Sequence, residues 1–308
     1  MSTPDHKPSP SPDSTLGPDR IWSLLLELRR VRRTPQAVPE RFGLGWEAGG
    51  RAAIVVADHP SARVEVAGDG SWTARGPVSA AGAELLDLYL PMALARRERP
   101  LAVAHLGQSL DGRIATANGA ACYVNGPENL THLHRMRALC DAIVVGAGTV
   151  ACDNPQLTTR RVPGPNPVRV IIDPRRRLAA DCAVFQDRAA PTVLVCAGER
   201  ADAPAPGQAE VISVPARGRE LNLRELLGRL GERGLFGVFI EGGGLTVSAF
   251  LQQGLLDRLQ ITVAPLIIGS GRPGITLPPI EDLTQGLRPR HRRYVMGEDV
   301  LFDCRLRE

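Results

Sequence analysis

From Pro100 to the C-terminus, short apolar runs alternate with helical patterns, and this alternation constrains the fold more than any other feature of the chain. Strand-like runs lie at 101–107, 142–146, 167–173, 192–197, 237–241 and 258–268. Between them, the pattern at 127–139 places Leu130, Leu133 and Met136 on one helical face with Asn125 as N-cap. A second helix at 245–256 gathers Leu245, Phe250 and Leu251. Strands joined through helices pair in parallel, so the expectation is an α/β domain with a central mixed, mostly parallel sheet flanked by helices. The run 294–306 reads as a hairpin or a late antiparallel strand pair.

The chain before this region reads differently. Residues 1–19 carry five prolines among Ser and Asp and are expected to form a disordered tail. Residues 20–98 are expected to form a small α+β extension, leaving 99–308 as the main domain. In the extension, helices are expected at 21–32 and about 80–96, the second kinked or interrupted at Pro91. A hairpin turns at Asp69-Gly70. No chemistry is visible there, and its Arg and aliphatic residues suit a cap or an oligomer contact.

Composition closes off several function classes. The first twenty residues lack the apolar core of a secretory signal, and runs such as 261–268 are too short to cross a bilayer, so a soluble cytoplasmic protein without membrane partners is expected. Net charge is only +4, and the arginines are scattered rather than striped, which argues against nucleic acid as partner. Lys7 is the only lysine among 37 Lys and Arg, so no lysine outside the tail is available for Schiff-base or general-acid chemistry. The six cysteines form no C-x-x-C pair and are expected to be reduced and partly buried. Neither His-x-Glu nor Pro-Cys-x-x-Cys occurs, which excludes a zinc deaminase, and no metal site is expected.

Three segments at strand ends carry candidate chemistry, where open α/β sheets gather ligands. The string VFIEGGGL (238–245) ends a buried strand at Glu241, passes three glycines and opens a helix. Glycines let a ligand approach the backbone and a helix N-terminus offers free N–H groups to an anion, although a tight turn would read the same way. Glu241, at the end of an apolar strand, is either functional or paired with one of the many arginines. The string HLGQSLDGRI (105–114) is a polar turn between two strands, with His105 inside the apolar run. In GAGTVACDNPQLTTR (146–160) a Gly-Ala-Gly turn precedes Thr149, Asp153 and Arg160.

Together, SLDGR (109–113), RALCDAIVVGAGTVACDNPQLTTR (137–160), PVRVIID (167–173), IEGGGL (240–245) and LLDRLQITVAPLIIG (255–269) resemble the bacterial riboflavin-biosynthesis reductase domain. That domain is the C-terminal half of a bifunctional pyrimidine deaminase–reductase, and the resemblance covers about 100–308. It implies a dihydrofolate-reductase-like fold, a homodimer, and NADPH-dependent conversion of the ribosylamino group of a 5-phosphoribosylamino pyrimidine to ribitylamino. It further implies cofactor contacts at Gly107, Tyr123, Thr149 and Asp153, with the pyrophosphate near Gly243, Gly244, Leu245 and Thr246. Substrate would engage Arg137, Leu157, Arg160, Glu241 and Ala121, with Glu241 and His105 as catalytic candidates.

The chain departs from the family in several places. His105 stands where the family has lysine, and its charge would be conditional near neutral pH. Ala121 replaces a serine, Tyr123 a tryptophan, and Pro174 a serine followed by Arg175, Arg176 and Arg177, candidates for the 2′-phosphate of NADPH. Residues 20–98 stand in place of the deaminase half. Alternatives are a reductase of a related pyrimidine or pterin-like substrate, or a non-catalytic nucleotide-binding relative.

Overall fold

The computed structural model describes residues 15–34, 38–47, 49–121, 124–200, 202–218 and 220–307. The chain divides into two compact units, Met1–Arg99 and Pro100–Glu308.

The first unit comprises α1 (Pro18–Arg32), β1 (Phe42–Trp46), β2 (Ala52–Val56), β3 (Ala62–Val66), β4 (Trp72–Ala74) and α2 (Ala80–Ala93). The four strands form an antiparallel sheet in the order β2-β1-β3-β4. Ile21, Leu24, Leu25 and Leu28 repeat at helical spacing and are wholly buried, which turns α1 into a packing surface against α2. Trp22 meets Tyr89 of α2 edge-on at 6.0 Å. Ordered structure starts inside the segment expected to be a tail: Leu16 is buried against Val78 and α1 opens at Pro18, while 1–14 lie outside the described residues. Pro91 does not interrupt α2, which runs two residues further to Ala93, with the Leu94 amide still bonded to the Leu90 carbonyl.

The second unit comprises β5 (Leu101–Ser109), β6 (Arg113–Ala115), α3 (Pro127–Leu139), β7 (Ala142–Gly146), α4 (Ala147–Asp153), β8 (Val168–Ile172) and α5 (Ala183–Gln186). It continues through β9 (Thr192–Ala197), β10 (Glu210–Val214), β11 (Ala216–Arg217), β12 (Glu220–Leu221), α6 (Leu223–Glu232), β13 (Gly237–Glu241) and α7 (Gly244–Gln252). It ends with β14 (Arg258–Ala264), β15 (Arg272–Pro273), β16 (Arg290–Met296) and β17 (Asp299–Arg305). Nine strands form one sheet in the order β10-β9-β8-β7-β13-β5-β14-β17-β16. From β10 to β14 every pairing is parallel, and β17 and β16 are antiparallel. This is the mixed, mostly parallel sheet expected from the alternation.

Strand alternation divides the core between the two sheet faces. Ala102, Ala104, Val144, Val238 and Ile240 pack with Leu226 of α6 and with Val247 and Phe250 of α7. Glu241 and His105 point to the opposite face, where both touch residues of α3.

Four local expectations are corrected. Helix α3 buries Asn129, His132, His134 and Arg137 beside Met136, whereas Leu130 is exposed, because the sheet face beneath it is itself polar. Its N-cap is Gly126 rather than Asn125, whose amide instead donates to Asp299 at 3.1 Å. The Gly-Ala-Gly segment is no free turn: α4 starts directly after Gly146. Leu245 does not join Phe250 in the core; it is 82% exposed at the start of α7.

Candidate active site

The carboxyl ends of β7, β13 and β5 lie side by side, so Gly146, Glu241 and the residues after His105 share one edge of the sheet. In register, Glu241 pairs with His105, His105 with Gln260, and Gln260 with Asp303. A row of polar side chains therefore crosses four strands beneath the polar face of α3.

Glu241 is held by Arg137. The Arg137 Nε donates to Glu241 Oε2 at 2.8 Å and Nη2 donates to Oε1, a bidentate pair with side chains only 10% and 14% exposed. Arg137 also donates from Nη1 to the Thr158 carbonyl at 3.1 Å. Of the two sequence readings of Glu241, the ion pair is present, and it sits at the mouth of the candidate anion site.

His105 lies deeper, 3% exposed. Its Nε2 is 3.1 Å from Asn129 Oδ1 and 3.0 Å from Thr262 Oγ1, and the Thr262 hydroxyl donates to the same Asn129 oxygen at 2.8 Å. Both neighbours accept, which sets Nε2 as the protonated nitrogen. Burial pushes His105 down to about 4, against a smaller opposing pull from Glu241, so it is neutral through the physiological range. The expectation of a conditional charge near neutral pH is thereby corrected. His132, 5.4 Å from His105 ring to ring, is also held neutral by burial and bonds Gln260 Oε1 at 3.0 Å. Gln260 in turn donates to Asp303, which accepts Arg258 at 2.6 Å. Sequence reading missed this network, because its members are spread over four segments far apart in the chain, β5, α3, β14 and β17.

The glycines after Glu241 make close backbone contacts. Gly242 has φ +117, a conformation that favours glycine. A Cβ on Gly244 would strike the Gly274 carbonyl and lie 2.7 Å from that of Pro273, whereas one on Gly243 would meet only Thr149 Oγ1 at 3.4 Å. The Gly243 N–H donates to Thr149 Oγ1 at 3.1 Å, which ties α4 to this loop. Within the first turn of α7, the amides of Gly244 and Leu245 lie ahead of any intrahelical acceptor, which makes this end suited to an anion. Side-chain-free backbone at 242–244 and these amides fit the pyrophosphate of a dinucleotide. Thr246 closes on Gly146, where a Cβ would strike its hydroxyl, and a Cβ on Gly107 would strike Asn125 Oδ1. Asp153 ends α4 on the surface, with partial burial raising its carboxyl above the usual range.

The SLDGR turn is built around Asp111. It accepts from Ser109 Oγ and from the amides of Ile268, at 3.1 Å, and Gly269, at 2.6 Å, and these bonds, the serine's first, bring it to about 2. Asp111 thus holds the loop after β14 against the turn after β5.

Leu157 is buried in a left-handed conformation, φ +56. Arg160 is exposed: its Nη1 donates to Gln156 Oε1 at 2.8 Å and to Thr158 Oγ1 at 2.7 Å. Ala121 is exposed, and Tyr123 lies outside the described residues. Of the three arginines after β8, Arg176 turns to the carbonyls of Arg200, Ala203 and Pro204, so only Arg175 and Arg177 stay exposed. Among the described residues, Cys152, Cys182, Cys196 and Cys304 are free thiols, no His/Cys/Asp/Glu group is arranged to hold a metal, and no helix is long and apolar enough to cross a membrane.

Comparison with known proteins shows the family to which the second unit is similar. The model of the RibD C-terminal domain matches residues 100–296. The 2,5-diamino-6-ribosylamino-4(3H)-pyrimidinone 5′-phosphate reductase of Methanothermobacter thermautotrophicus is 37% identical over 216 residues, 67% of this chain and 97% of that protein. The riboflavin biosynthesis protein RibD of Aquifex aeolicus is 31% identical over 208 residues, and the matched part makes up 58% of its length. Among solved structures, the diaminohydroxyphosphoribosylaminopyrimidine deaminase/5-amino-6-(5-phosphoribosylamino)uracil reductase of Thermotoga maritima superposes with a TM-score of 0.57 at 26% identity, covering 75% of this chain and 63% of that one. The riboflavin biosynthesis reductase of Saccharomyces cerevisiae shares the fold, with a TM-score of 0.55 at 24% identity.

Proposed function

Because the chain belongs to the RibD C-terminal domain family, we propose that it is a reductase of riboflavin biosynthesis that uses NADPH to convert a 5-phosphoribosylamino pyrimidine to its ribitylamino form. The carrying observation is that the Arg137–Glu241 pair, the Arg160 guanidinium tethered beside it through Thr158, and the amide-bearing start of α7 converge on one sheet edge. The cofactor supplies hydride when bound; the protein supplies position and charge.

The residues divide that work. Gly243, Gly244, Leu245 and Thr246 receive the pyrophosphate at the N-terminus of α7, with Gly107, Thr149, Asp153 and Tyr123 along the same cofactor. Arg175 and Arg177 select the 2′-phosphate. Arg160 takes the sugar phosphate, and Leu157 and Ala121 engage the pyrimidine. Glu241, oriented by Arg137, faces the reacting sugar and favours the positive charge that develops at C1′ as its ring opens. His105 orients rather than titrates, through Asn129 and Thr262. The homodimer belongs to this reading, and sedimentation velocity tests it.

The test is anaerobic NADPH oxidation with the deaminated uracil phosphate and, separately, with its undeaminated diaminopyrimidinone counterpart. Turnover of either supports the reading, and the preferred one fixes the order of deamination and reduction. A neutral, buried His105 where the family has lysine favours one second reading, a related pyrimidine or pterin-like substrate. NADPH binding without turnover of either compound would select it.

A further inference from the structure

The segment 156–160 has no regular structure, yet side chains from α3 and the 166–169 stretch tether it along its length. Arg169 donates to the Gln156 carbonyl at 3.4 Å, Arg137 to the Thr158 carbonyl at 3.1 Å, and the Thr159 amide donates to Asn166 Oδ1 at 2.7 Å. The last tether is the one on Arg160 itself, whose backbone N–H donates to His134 Nδ1 at 2.9 Å. Beyond that point the Gln156 and Thr158 side chains hold Nη1 of the Arg160 guanidinium, and its Nε–Nη2 edge bonds nothing among the described residues.

We propose that His134 is a positioning residue for phosphate: by accepting the Arg160 amide it sets the register in which the free Nε–Nη2 edge of Arg160 meets a phosphate monoester bidentately. This deepens, and rests on, the reading that Arg160 takes the substrate phosphate. Three features support it. His134 is 6% exposed, so its acceptor nitrogen is fixed by packing rather than by solvent. Helix α3 also carries Arg137, three residues on, so one rigid element sets both the Glu241 contact and the Arg160 contact. Arg160 and the adjacent Arg161 are exposed, and the bonds Arg160 makes are to neutral oxygens, so the local charge is not cancelled.

The test compares His134→Leu, which removes the acceptor, with His134→Asn, whose Oδ1 stands near the place of Nδ1. Each variant is assayed with the phosphorylated substrate and with its dephosphorylated nucleoside, and ribose 5-phosphate binding is measured by calorimetry. His134→Leu is expected to raise KM for the phosphorylated substrate by roughly fivefold to tenfold, with kcat and the nucleoside KM nearly unchanged. His134→Asn is expected to recover most of that loss. If the Leu variant does not fold, His134→Gln, which moves the acceptor away from Nδ1, takes its place. Equal KM changes for both substrates, no change at all, or an Asn variant as impaired as Leu would overturn the proposal. Should the wild type turn over neither pyrimidine yet bind ribose 5-phosphate in a His134-dependent way, the functional reading falls and this inference stands. Turnover that is insensitive to His134 would leave the functional reading standing and overturn this inference, as would failure to bind ribose 5-phosphate.

Discussion

At the scale of single residues, the site depends on charges that are paired and histidines that are not charged. Replacing Glu241 by Gln leaves Arg137 buried without its counter-charge, which is expected to cost up to about 3 kcal/mol of stability, read as a lower urea midpoint. The same variant is expected to lose at least about tenfold in kcat/KM for the pyrimidine with a smaller change in NADPH Kd; equal losses would make the pair purely structural. His105 predicts a pH dependence whose sign follows from its lowered value of about 4. Below about 6.5 the unfolded chain takes up a proton that the folded chain refuses, so stability is fully present above that pH and falls as pH drops towards 4. The depression amounts to about 3 kcal/mol, and denaturant titrations across this window should show a shallower decline in His105→Asn than in the wild type. The residue type was legible in the sequence. Its neutrality was not, because burial comes from Asn129 and Thr262, which are remote in sequence.

At the scale of elements, α3 and α7 show where pattern reading works and where it fails. The span of α3 was legible, but its inward face was not, since a helix laid over Glu241, His105 and Gln260 buries polar side chains to satisfy theirs. The start of α7 is set by glycine. Gly244→Ala would drive a methyl into the Gly274 and Pro273 carbonyls, which are backbone and cannot swing aside. NADPH Kd is expected to rise by at least about tenfold, with a melting temperature lowered by several degrees; an unchanged Kd would place the pyrophosphate elsewhere. Gly243→Ala, facing open space but for Thr149, is expected to disturb the fold less than Gly244→Ala, so a comparison of their melting curves separates packing from ligand approach.

At the scale of the whole molecule, the Pro100–Glu308 unit contains an extended core of its own, from Ala102 to Cys304. A protein of residues 100–308 is therefore expected to fold cooperatively and oxidise NADPH with substrate; an insoluble or inactive product would give Met1–Arg99 a part in the reaction. The strand and helix alternation, the late antiparallel pair and the glycine-rich start of α7 are legible in the residues alone, because these follow from local periodicity and from backbone conformations open to glycine. Tertiary structure alone decided that Glu241 pairs with Arg137, that His105 is neutral, and that His134 holds Arg160. Each of these joins residues far apart in the chain: parallel strand order sets Glu241 beside His105, and α3 packed over that face brings Arg137 to Glu241 and His134 to the Arg160 amide.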